Sequence, residues 1–221
     1  MTDRSKAQDP RELFDVVTAQ GELTGRSKRR ASVHRDGDWH RAVHVWVTGI
    51  DEGGGFLTFQ RRSLEKDTWP GKLDATVGGH FRAGESLEKT LREVDEEIGI
   101  NVAMADLWFV GKRIAVNESE PGTLDHEIQD VFLLRDERPL SEFRPSAAEL
   151  SALVRVQLDA LLEFLAGTRD SVTARSISPG QSVDVSTELR AGDFILQIDR
   201  YFYRVAIAAR QFLNGEQHIS V

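Results

Sequence analysis

The chain has 221 residues, with 36 acidic and 28 basic side chains and a formal net charge of −8 at pH 7. This acidic balance excludes a general nucleic-acid binder and a polybasic membrane binder, because both need an excess of Lys and Arg. The chain has no cysteine, which excludes disulfides, Cys-ligated zinc, iron–sulfur clusters and thiol nucleophiles. No apolar run approaches the roughly 20 residues of a membrane span, and the polar start has no apolar signal core. We therefore expect a soluble, cytoplasmic protein.

Strands dominate the predicted elements of the first two thirds of the chain. Residues rich in β-branched and aromatic side chains lie between turn signals, which predicts strands at 13–17, 42–47, 56–60, 73–77, 106–116 and 128–134. Gly53 to Gly55 are predicted to close a hairpin between the second and third of these strands. The charged stretch 26–40 is predicted to form a loop or a short helix.

Three helices are predicted from apolar residues at helical spacing, at 86–98, 147–166 and 193–213. The polar stretch 168–192 contains a Ser-Pro-Gly turn and no predicted element. Strands mixed with a few helices favour an α+β fold, an α/β/α sandwich around a mixed sheet.

The chain is predicted to divide into three parts. The first 12 residues form a flexible start, residues 13–167 form the main domain, and residues 168–221 form a C-terminal extension with an aromatic-rich helix. Covering the core is the most common fate of such a helix, but packing on a partner subunit or roofing a site are alternatives.

The strongest chemical signal is a cluster of acids on the predicted helix 86–98. Glu93, Glu96 and Glu97 stand at i, i+3 and i+4, so their carboxylates share one helix face and repel one another. A divalent cation would relieve this repulsion, since Mg²⁺ and Mn²⁺ prefer oxygen ligands and bridge carboxylates to substrate phosphates. Taken alone, the same string also fits a solvated acidic surface.

The segment 79–100 resembles the signature of the Nudix hydrolase family, G-x5-E-x7-R-E-U-x-E-E-x-G-U, in which U is aliphatic. Residues 92–100 match every specified position, and Gly79 and Glu85 match the first half. Only six residues separate Glu85 from Arg92, where the family has seven. A residue lost within the helix would rotate Glu85 by about 100°. Because the apolar stripe stays in phase, we expect the shortening where loop becomes helix.

This resemblance implies roles for the residues that match the signature. Glu93, Glu96 and Glu97 would hold Mg²⁺ or Mn²⁺ and help to activate water. Arg92 would orient one of these carboxylates, although a simple surface pair with the acid four residues earlier is the alternative. Gly79 would let the backbone approach a metal or phosphate closely, and an ordinary turn glycine is the alternative.

Further resemblance, over residues 40–46, 60–62 and 66–74, is to the Nudix subgroup related to isopentenyl-diphosphate isomerase. That enzyme uses a cysteine just before a Gly-His pair, and Gly78 stands at this position here. The isomerase chemistry therefore lacks its usual acid/base group. The stretch 69–74 also resembles Nudix domains that act on thiamine diphosphate derivatives.

The same resemblance implies a second group of metal ligands. His34, His40 and His80 fall near the metal histidines of the isomerase, and Asp125 and Glu127 resemble its acidic pair. Three histidines with carboxylates suit Mn²⁺ or Zn²⁺. A packed or hydrogen-bonded structural role is the alternative for each histidine, and Glu127 is a candidate for an extra metal ligand or base.

Substrate contacts are predicted from the basic residues Arg61, Arg62 and Lys66, which follow a strand and suit a diphosphate. The preferred hypothesis is a divalent-metal-dependent hydrolase of a nucleoside diphosphate linked to another group, or of a related organic diphosphate. An isoprenoid-diphosphate isomerase and a non-catalytic binding module are the alternatives. We expect a small-molecule diphosphate partner and, by analogy, a homodimer. Specificity is expected from the loops 25–40, 62–72 and 117–126.

Overall fold

The computed structural model describes residues 11–66, 68–118, 123–195 and 198–221. The predicted flexible start therefore lies outside the described residues, apart from Arg11 and Glu12. Glu12 is held in place, because its carbonyl accepts a hydrogen bond from the Arg30 amide (N···O 2.7 Å) and its carboxylate pairs with Arg82. Asp67 and part of the predicted loop 117–126 also lie outside the described residues.

Eleven strands, five α-helices and three short 3-10 helices make up the regular structure of the described residues. The strands are β1 (Leu13–Val17), β2 (Leu23–Arg29), β3 (Trp39–Asp51), β4 (Gly54–Arg62), β5 (Leu73–Asp74), β6 (Val77–His80), β7 (Leu107–Glu118), β8 (Leu124–Arg135), β9 (Leu150–Gln157), β10 (Ser171–Ile177) and β11 (Val185–Arg190). The helices are α1 (Arg30–Asp36), α2 (Leu87–Thr90), α3 (Arg92–Ile98), α4 (Leu158–Leu165) and α5 (Tyr201–Leu213). The charged stretch 26–40 thus completes a strand and forms a short helix.

One large mixed sheet organises the molecule. Its strand order is β11-β10-β9-β4-β3-β8-β7, with β5 paired to β4 and β6 paired to β3, while β1 and β2 form a separate hairpin. Strands β3 and β8 run parallel, and the other pairs are antiparallel. This mixed sheet with helices confirms the predicted α+β class.

Two apolar clusters pack on β3, one on each of its faces, because alternate residues of a strand point to opposite sides. Trp46 belongs to the cluster that includes residues of α4 and α5. Val43 and Val45 belong to the cluster that includes Val94 and Ile98 of α3. Burying two faces in this way explains the apolar run of β3 and the α/β/α layering.

The predicted helix 147–166 is wrong in its first half. Residues Leu150–Gln157 form β9, which pairs with β4 on one side and β10 on the other, and only Leu158–Leu165 are helical. Five consecutive residues of β9, from Ala152 to Val156, are buried. A central strand buried on both faces carries apolar residues at many spacings, so its periodicity imitates that of a helix.

The C-terminal segment joins the main sheet. The polar stretch 168–192, for which no element was predicted, forms the hairpin β10–β11 at the sheet edge. Its alternation is visible in Val172 and Ala174, which are buried on either side of the exposed Thr173. The third helix starts at Tyr201 rather than at 193 and packs into the core cluster. In the described parts of the chain, no helix has the length and apolar character to cross a membrane.

Candidate active site

The floor of a polar cavity is built by β3 and its two neighbours. His40, Ala42 and His44 follow one another on the same face of β3, at every second residue. In the register, His40 faces Glu127 of β8, and Ala42 faces His80 of β6. These pairings bring imidazoles and carboxylates from distant parts of the chain onto one surface.

The cavity has a volume of about 120 Å³ and contains most of the predicted site residues. Its titratable lining combines five basic side chains, three imidazoles and seven carboxylates, namely Arg30, Arg62, Lys66, Arg82, Arg113, His34, His44, His80, Glu12, Asp74, Glu93, Glu97, Asp125, Glu127 and Glu149. Members of both predicted metal-ligand groups, the α3 acids and the histidines, therefore line one cavity.

Two of the three α3 acids face this cavity. Glu93 and Glu97 line it, and Glu97 is buried with its Oε2 accepting a hydrogen bond from Gln60 Nε2 at 3.2 Å. Glu96 instead turns to solvent, with 54% of its side chain exposed. The prediction placed all three acids on one helix face, but only Glu93 and Glu97, at i and i+4, point into the cavity.

Burial perturbs both inward-facing acids. It raises the pKa of Glu93 to about 7; the Arg92 cation opposes this rise, and the charge of Glu96 adds to it. Burial also raises the pKa of Glu97 well above its usual range; Lys66 opposes, while Glu149 and Glu93 add to the rise. A cation bound between these groups would favour both ionised carboxylates and so oppose the two pKa shifts.

The Arg92 guanidinium contacts three carboxylates of the signature segment. Its Nη2 donates to Glu93 Oε1 at 2.7 Å, its Nη1 donates to Glu85 Oε1, and its Nε lies 3.8 Å from Glu96 Oε1. No contact joins it to the acid four residues earlier, Glu88, within the described residues. This geometry is that of an orienting residue.

Despite the one-residue shortening, Glu85 contacts Arg92, the next specified residue of the signature. The predicted helix 86–98 is broken at Leu91 into α2 and α3, so the segment that carries the acids is a helix of its own. Glu85 accepts hydrogen bonds from the Arg82 amide (2.9 Å) and from Arg92. It lies outside the cavity lining, and Arg92 connects it to Glu93, which lines the cavity.

Gly79 lets α3 approach β6. A Cβ added at Gly79 would lie 2.9 Å from Cδ of Glu93 and closer still to its Cγ, so any larger residue would push Glu93 out of place. Gly79 thus meets the side chain of a proposed metal ligand. The close approach explains why glycine is needed here.

We expect Gly79→Ala to lower turnover about tenfold or more, because a displacement of Glu93 by about an ångström disturbs the catalytic geometry. The measurement is kcat/KM together with thermal unfolding, since overpacking also destabilises by about 1–3 kcal/mol. Gly192→Ala is the matched control, because a Cβ there meets no atom within 4 Å. Unchanged turnover in Gly79→Ala would show that the close approach is irrelevant.

His34, His40, His80 and Asp125 converge on one point. One ligand atom from each lies within 4.8 Å of the others. His34 Nε2 and His40 Nε2 lie 3.7 and 3.5 Å from Asp125 Oδ1. The ring of Phe14 stacks on His40 and His80, with centroids 5.4 and 4.9 Å away, which fixes two of the imidazole planes.

The polar atoms of this cluster lack partners in a way that fits a metal. His34 Nε2, His40 Nε2 and Asp125 Oδ1 are buried and have no hydrogen-bond partner in the described structure. His40 Nδ1 lies 3.2 Å from the Asp38 carbonyl, which leaves the lone pair on Nε2 when Nδ1 donates. Burial lowers the pKa of His34 to about 3 and of His40 to about 4, so both are neutral at pH 7. Neutral imidazoles and a carboxylate suit Mn²⁺ or Zn²⁺.

Glu127 lines the cavity and contacts the histidine cluster through His80. Its Oε1 lies 2.7 Å from His80 Nε2, and its Oε2 accepts a hydrogen bond from Gln129. Burial acts to raise the pKa of Glu127, but the hydrogen bond and charge of His80 hold it well below its usual range. For Asp125 the balance is the reverse, because burial and the Glu127 charge raise its pKa.

The three predicted substrate contacts are placed differently. Lys66 lines the cavity and pairs with Glu149. Arg62 also lines it, and its Nε donates to the Thr68 carbonyl at 2.9 Å. Arg61 is outside the lining, and its Nη1 lies 3.1 Å from Asp193 Oδ1. Neighbouring residues of a strand point to opposite faces, so Arg61 and Arg62 cannot both enter.

Sequence reasoning missed Glu149 and the basic residues Arg30, Arg82 and Arg113. Glu149 raises the pKa of both inward-facing acids, so it lies close to them. It precedes β9, in a stretch that was predicted to be helical, so no local signal marked it. Arg30, Arg82 and Arg113 come from α1, from the segment after β6 and from β7, and they meet only in the folded chain.

A model of the NUDIX domain matches residues 38–176. An Arabidopsis thaliana protein named Nudix hydrolase 3 is 34% identical over 86% of this chain, which spans only 26% of that protein's length. A Clostridium acetobutylicum protein, named an uncharacterized Nudix hydrolase, is 31% identical over 90% of this chain and 96% of its own length.

Solved structures agree at the level of the fold. A Deinococcus radiodurans protein has a TM-score of 0.50 at 23% identity, covering 71% of this chain and 90% of its own. A MutT/nudix family protein from Enterococcus faecalis has a TM-score of 0.50 at 12% identity, covering 81% and 65% of the two chains. The finer placement beside isopentenyl-diphosphate isomerase stays a prediction. Because the family model spans more than half of the chain and the relatives are hydrolases by name, the chain belongs to the Nudix family and is a Nudix-type hydrolase.

Proposed function

We propose that the protein is a divalent-metal-dependent pyrophosphohydrolase that cleaves the diphosphate of a nucleoside diphosphate linked to another group, or of a related organic diphosphate. The observation that carries this proposal is the convergence of Glu93 and Glu97 with the imidazole–carboxylate cluster in one cavity. Cations from the chain line the same cavity and suit a diphosphate. Comparing turnover rates across a panel of diphosphates would identify the preferred substrate class.

Two residue groups would hold metal. Glu93 and Glu97 would hold Mg²⁺ or Mn²⁺, with Glu96 and the Gly79 backbone added by the family resemblance. Bound metal of this kind polarises a phosphoryl oxygen and lowers the pKa of water. His34, His40, His80 and Asp125 would hold a second ion.

The chain's own residues supply binding and orientation. Lys66 and Arg62 stand where they can neutralise phosphate oxygens, and Arg92 keeps Glu93 in place through its 2.7 Å hydrogen bond. Contacts with His80 and Gln129 fix the two carboxylate oxygens of Glu127. Such a fixed orientation suits a carboxylate that would bind metal. Burial of Glu97 and partial burial of Glu93 strengthen the electrostatic interactions of these two carboxylates.

The test is turnover of a diphosphate panel with Mg²⁺ and then Mn²⁺. The panel contains dinucleoside polyphosphates, nucleotide sugars, coenzyme diphosphates, thiamine diphosphate analogues and isopentenyl diphosphate. We expect metal-dependent hydrolysis that collapses in Glu97→Gln and persists in Glu88→Gln, which changes an exposed acid of the neighbouring α2. Glu96→Gln asks whether the solvent-facing acid contributes. If nothing turns over with either metal, the chain is a binding module on this fold.

An isomerase acting on an isoprenoid diphosphate is the second candidate, because the three histidines gather with Asp125 as that resemblance implies. The chain has no cysteine to serve as the acid/base. Isopentenyl diphosphate incubated with each metal separates the two functions. Release of phosphate marks the hydrolase, and a moved double bond without phosphate release marks the isomerase.

A homodimer is proposed by analogy with the family, and a cytoplasmic location is proposed from the acidic, cysteine-free composition. Light scattering during size-exclusion chromatography gives the oligomeric state against the 24.8 kDa of one chain. Cell fractionation gives the compartment. Neither property is needed for the chemistry proposed above.

A further inference from the structure

His44 lies on the cavity floor but belongs to neither proposed metal group. It is buried and faces Gly78 across the β3–β6 pair. A Cβ built on Gly78 would lie 3.6 Å from both Cδ2 and Nε2 of His44, so the absent side chain leaves room along this edge of the ring. His44 itself lines the cavity.

The other edge of the ring is fixed by the C-terminal helix. Tyr201, the first residue of α5, has its hydroxyl oxygen 3.0 Å from His44 Nδ1 and 2.9 Å from Trp46 Nε1. The indole nitrogen can only donate, so it donates to the Tyr201 oxygen. The buried hydroxyl has one proton, and His44 Nδ1 is its one acceptor among the described residues. Nδ1 therefore accepts this hydrogen bond.

This arrangement settles which nitrogen of His44 carries the proton. Burial lowers the pKa of His44, which favours the neutral ring. A neutral imidazole whose Nδ1 accepts must carry its proton on Nε2. No described residue forms a hydrogen bond with Nε2, and the oxygens of nearby Asp74 accept from Arg62 and from the Ala75 amide instead. The N–H is thus presented to the cavity.

The surroundings of His44 differ from those of the α3 acids. Its partners Trp46 and Tyr201 belong to the apolar cluster that also contains Ile195, and Trp69 packs against this cluster. Both Ile195 and Trp69 line the cavity. His44 therefore stands where the polar cavity meets apolar side chains, which suits the organic part of a substrate.

We propose that His44 is a specificity-determining residue, and that its Nε2–H, oriented by Tyr201, donates a hydrogen bond to a hydroxyl or carbonyl oxygen on the organic group linked to the diphosphate. This inference rests on the proposed function for the position of the diphosphate. A purely hydrocarbon group would leave the donor unpaired, which weakens binding. The C-terminal extension thus takes part in substrate recognition through Tyr201.

The binding test uses two probes that differ by one hydroxyl group. They are the methylene-bridged, non-hydrolysable analogues of 3-methylbut-2-enyl diphosphate and of its 4-hydroxy derivative, titrated calorimetrically with Mg²⁺. We expect wild type to bind the hydroxylated probe about tenfold or more tightly. His44→Leu and Tyr201→Phe should lose this preference. His44→Gln, whose amide nitrogen replaces Nε2, should restore part of it.

Tyr203→Phe is the control, because Tyr203 lies on the same helix outside this cavity. A second readout is the ¹⁵N spectrum of the His44 ring, in which we expect the Nε2–H tautomer in wild type and mixed tautomers in Tyr201→Phe. Equal affinity of wild type for both probes, binding of neither, or an Nδ1–H tautomer would overturn the proposal. Failure of the turnover panel would refute the hydrolase function without changing these two readouts.

Discussion

Glu93→Gln is expected to lower kcat/KM by about a hundredfold or more and, at the same time, to stabilise the metal-free protein above pH 7. The loss follows from removing a carboxylate that would hold a metal worth several kcal/mol of transition-state stabilisation. The gain follows because burial raises the pKa of Glu93 to about 7, from 4.5 in the unfolded chain. Ionising this carboxylate in the folded, metal-free protein therefore costs free energy that the amide avoids.

The sign of the pH dependence is fixed by this raised pKa. Between about pH 4.5 and 7 the folded state binds the Glu93 proton more tightly than the unfolded state does. The stabilisation is complete below 4.5 and is lost as pH rises through 7, so the free energy of unfolding falls over this window by about 3 kcal/mol for this group. We expect Glu93→Gln to remove this fall.

Denaturant unfolding in chelator between pH 5 and 8 measures the difference between the two proteins. Glu88→Gln is the control, because that acid is exposed and should leave both stability and turnover unchanged. Parallel pH curves for wild type and Glu93→Gln would show that Glu93 is not the titrating group. Full activity in the variant would remove it from the metal site.

Local patterns predicted the part of the site that is local in sequence. The acids of α3 lie within one helical turn, so their spacing was sufficient to place Glu93 and Glu97 on one face. The same spacing could not show that Glu96, unlike the other two acids, faces solvent. Which side of α3 faces the cavity depends on how the helix packs on β6 at Gly79.

Sequence patterns could not predict contacts between residues that are far apart in the chain. The histidine cluster was implied only by family resemblance, and it forms because β3 and β8 run parallel with His40 facing Glu127. His44 and Tyr201 are 157 positions apart, and no periodicity relates them. The strand β9 was predicted as helix because its burial on both faces obscures the two-residue period.

Mn²⁺ or Zn²⁺ is expected to raise the unfolding temperature of the metal-depleted protein through the cluster of His34, His40, His80 and Asp125. Binding to the folded state alone adds about 4 kcal/mol at a thousandfold excess over Kd. The cluster is prepared for the ion, since three buried ligand atoms have no other partner in the described structure. His34→Ala and Asp125→Asn should each lose most of the metal-induced shift.

The pH dependence of this metal effect follows from the lowered pKa values of His34, about 3, and His40, about 4. Both values lie below the 6.5 of the unfolded state, so the metal-free protein loses stability as pH falls from 6.5 through 4. Above about pH 5 the two imidazoles of the folded protein are already neutral, so they bind the ion without releasing protons of their own.

His126→Ala is the control that distinguishes metal binding at the cluster of His34, His40, His80 and Asp125 from metal binding at other histidines. His126 lies between Asp125 and Glu127 on β8, but its ring packs on Trp39, with centroids 5.1 Å apart, and is absent from the cluster. This variant should keep the full metal-induced rise in unfolding temperature. If His34→Ala kept it equally, the ion would be bound elsewhere, and the unpaired buried atoms of the cluster would need another explanation.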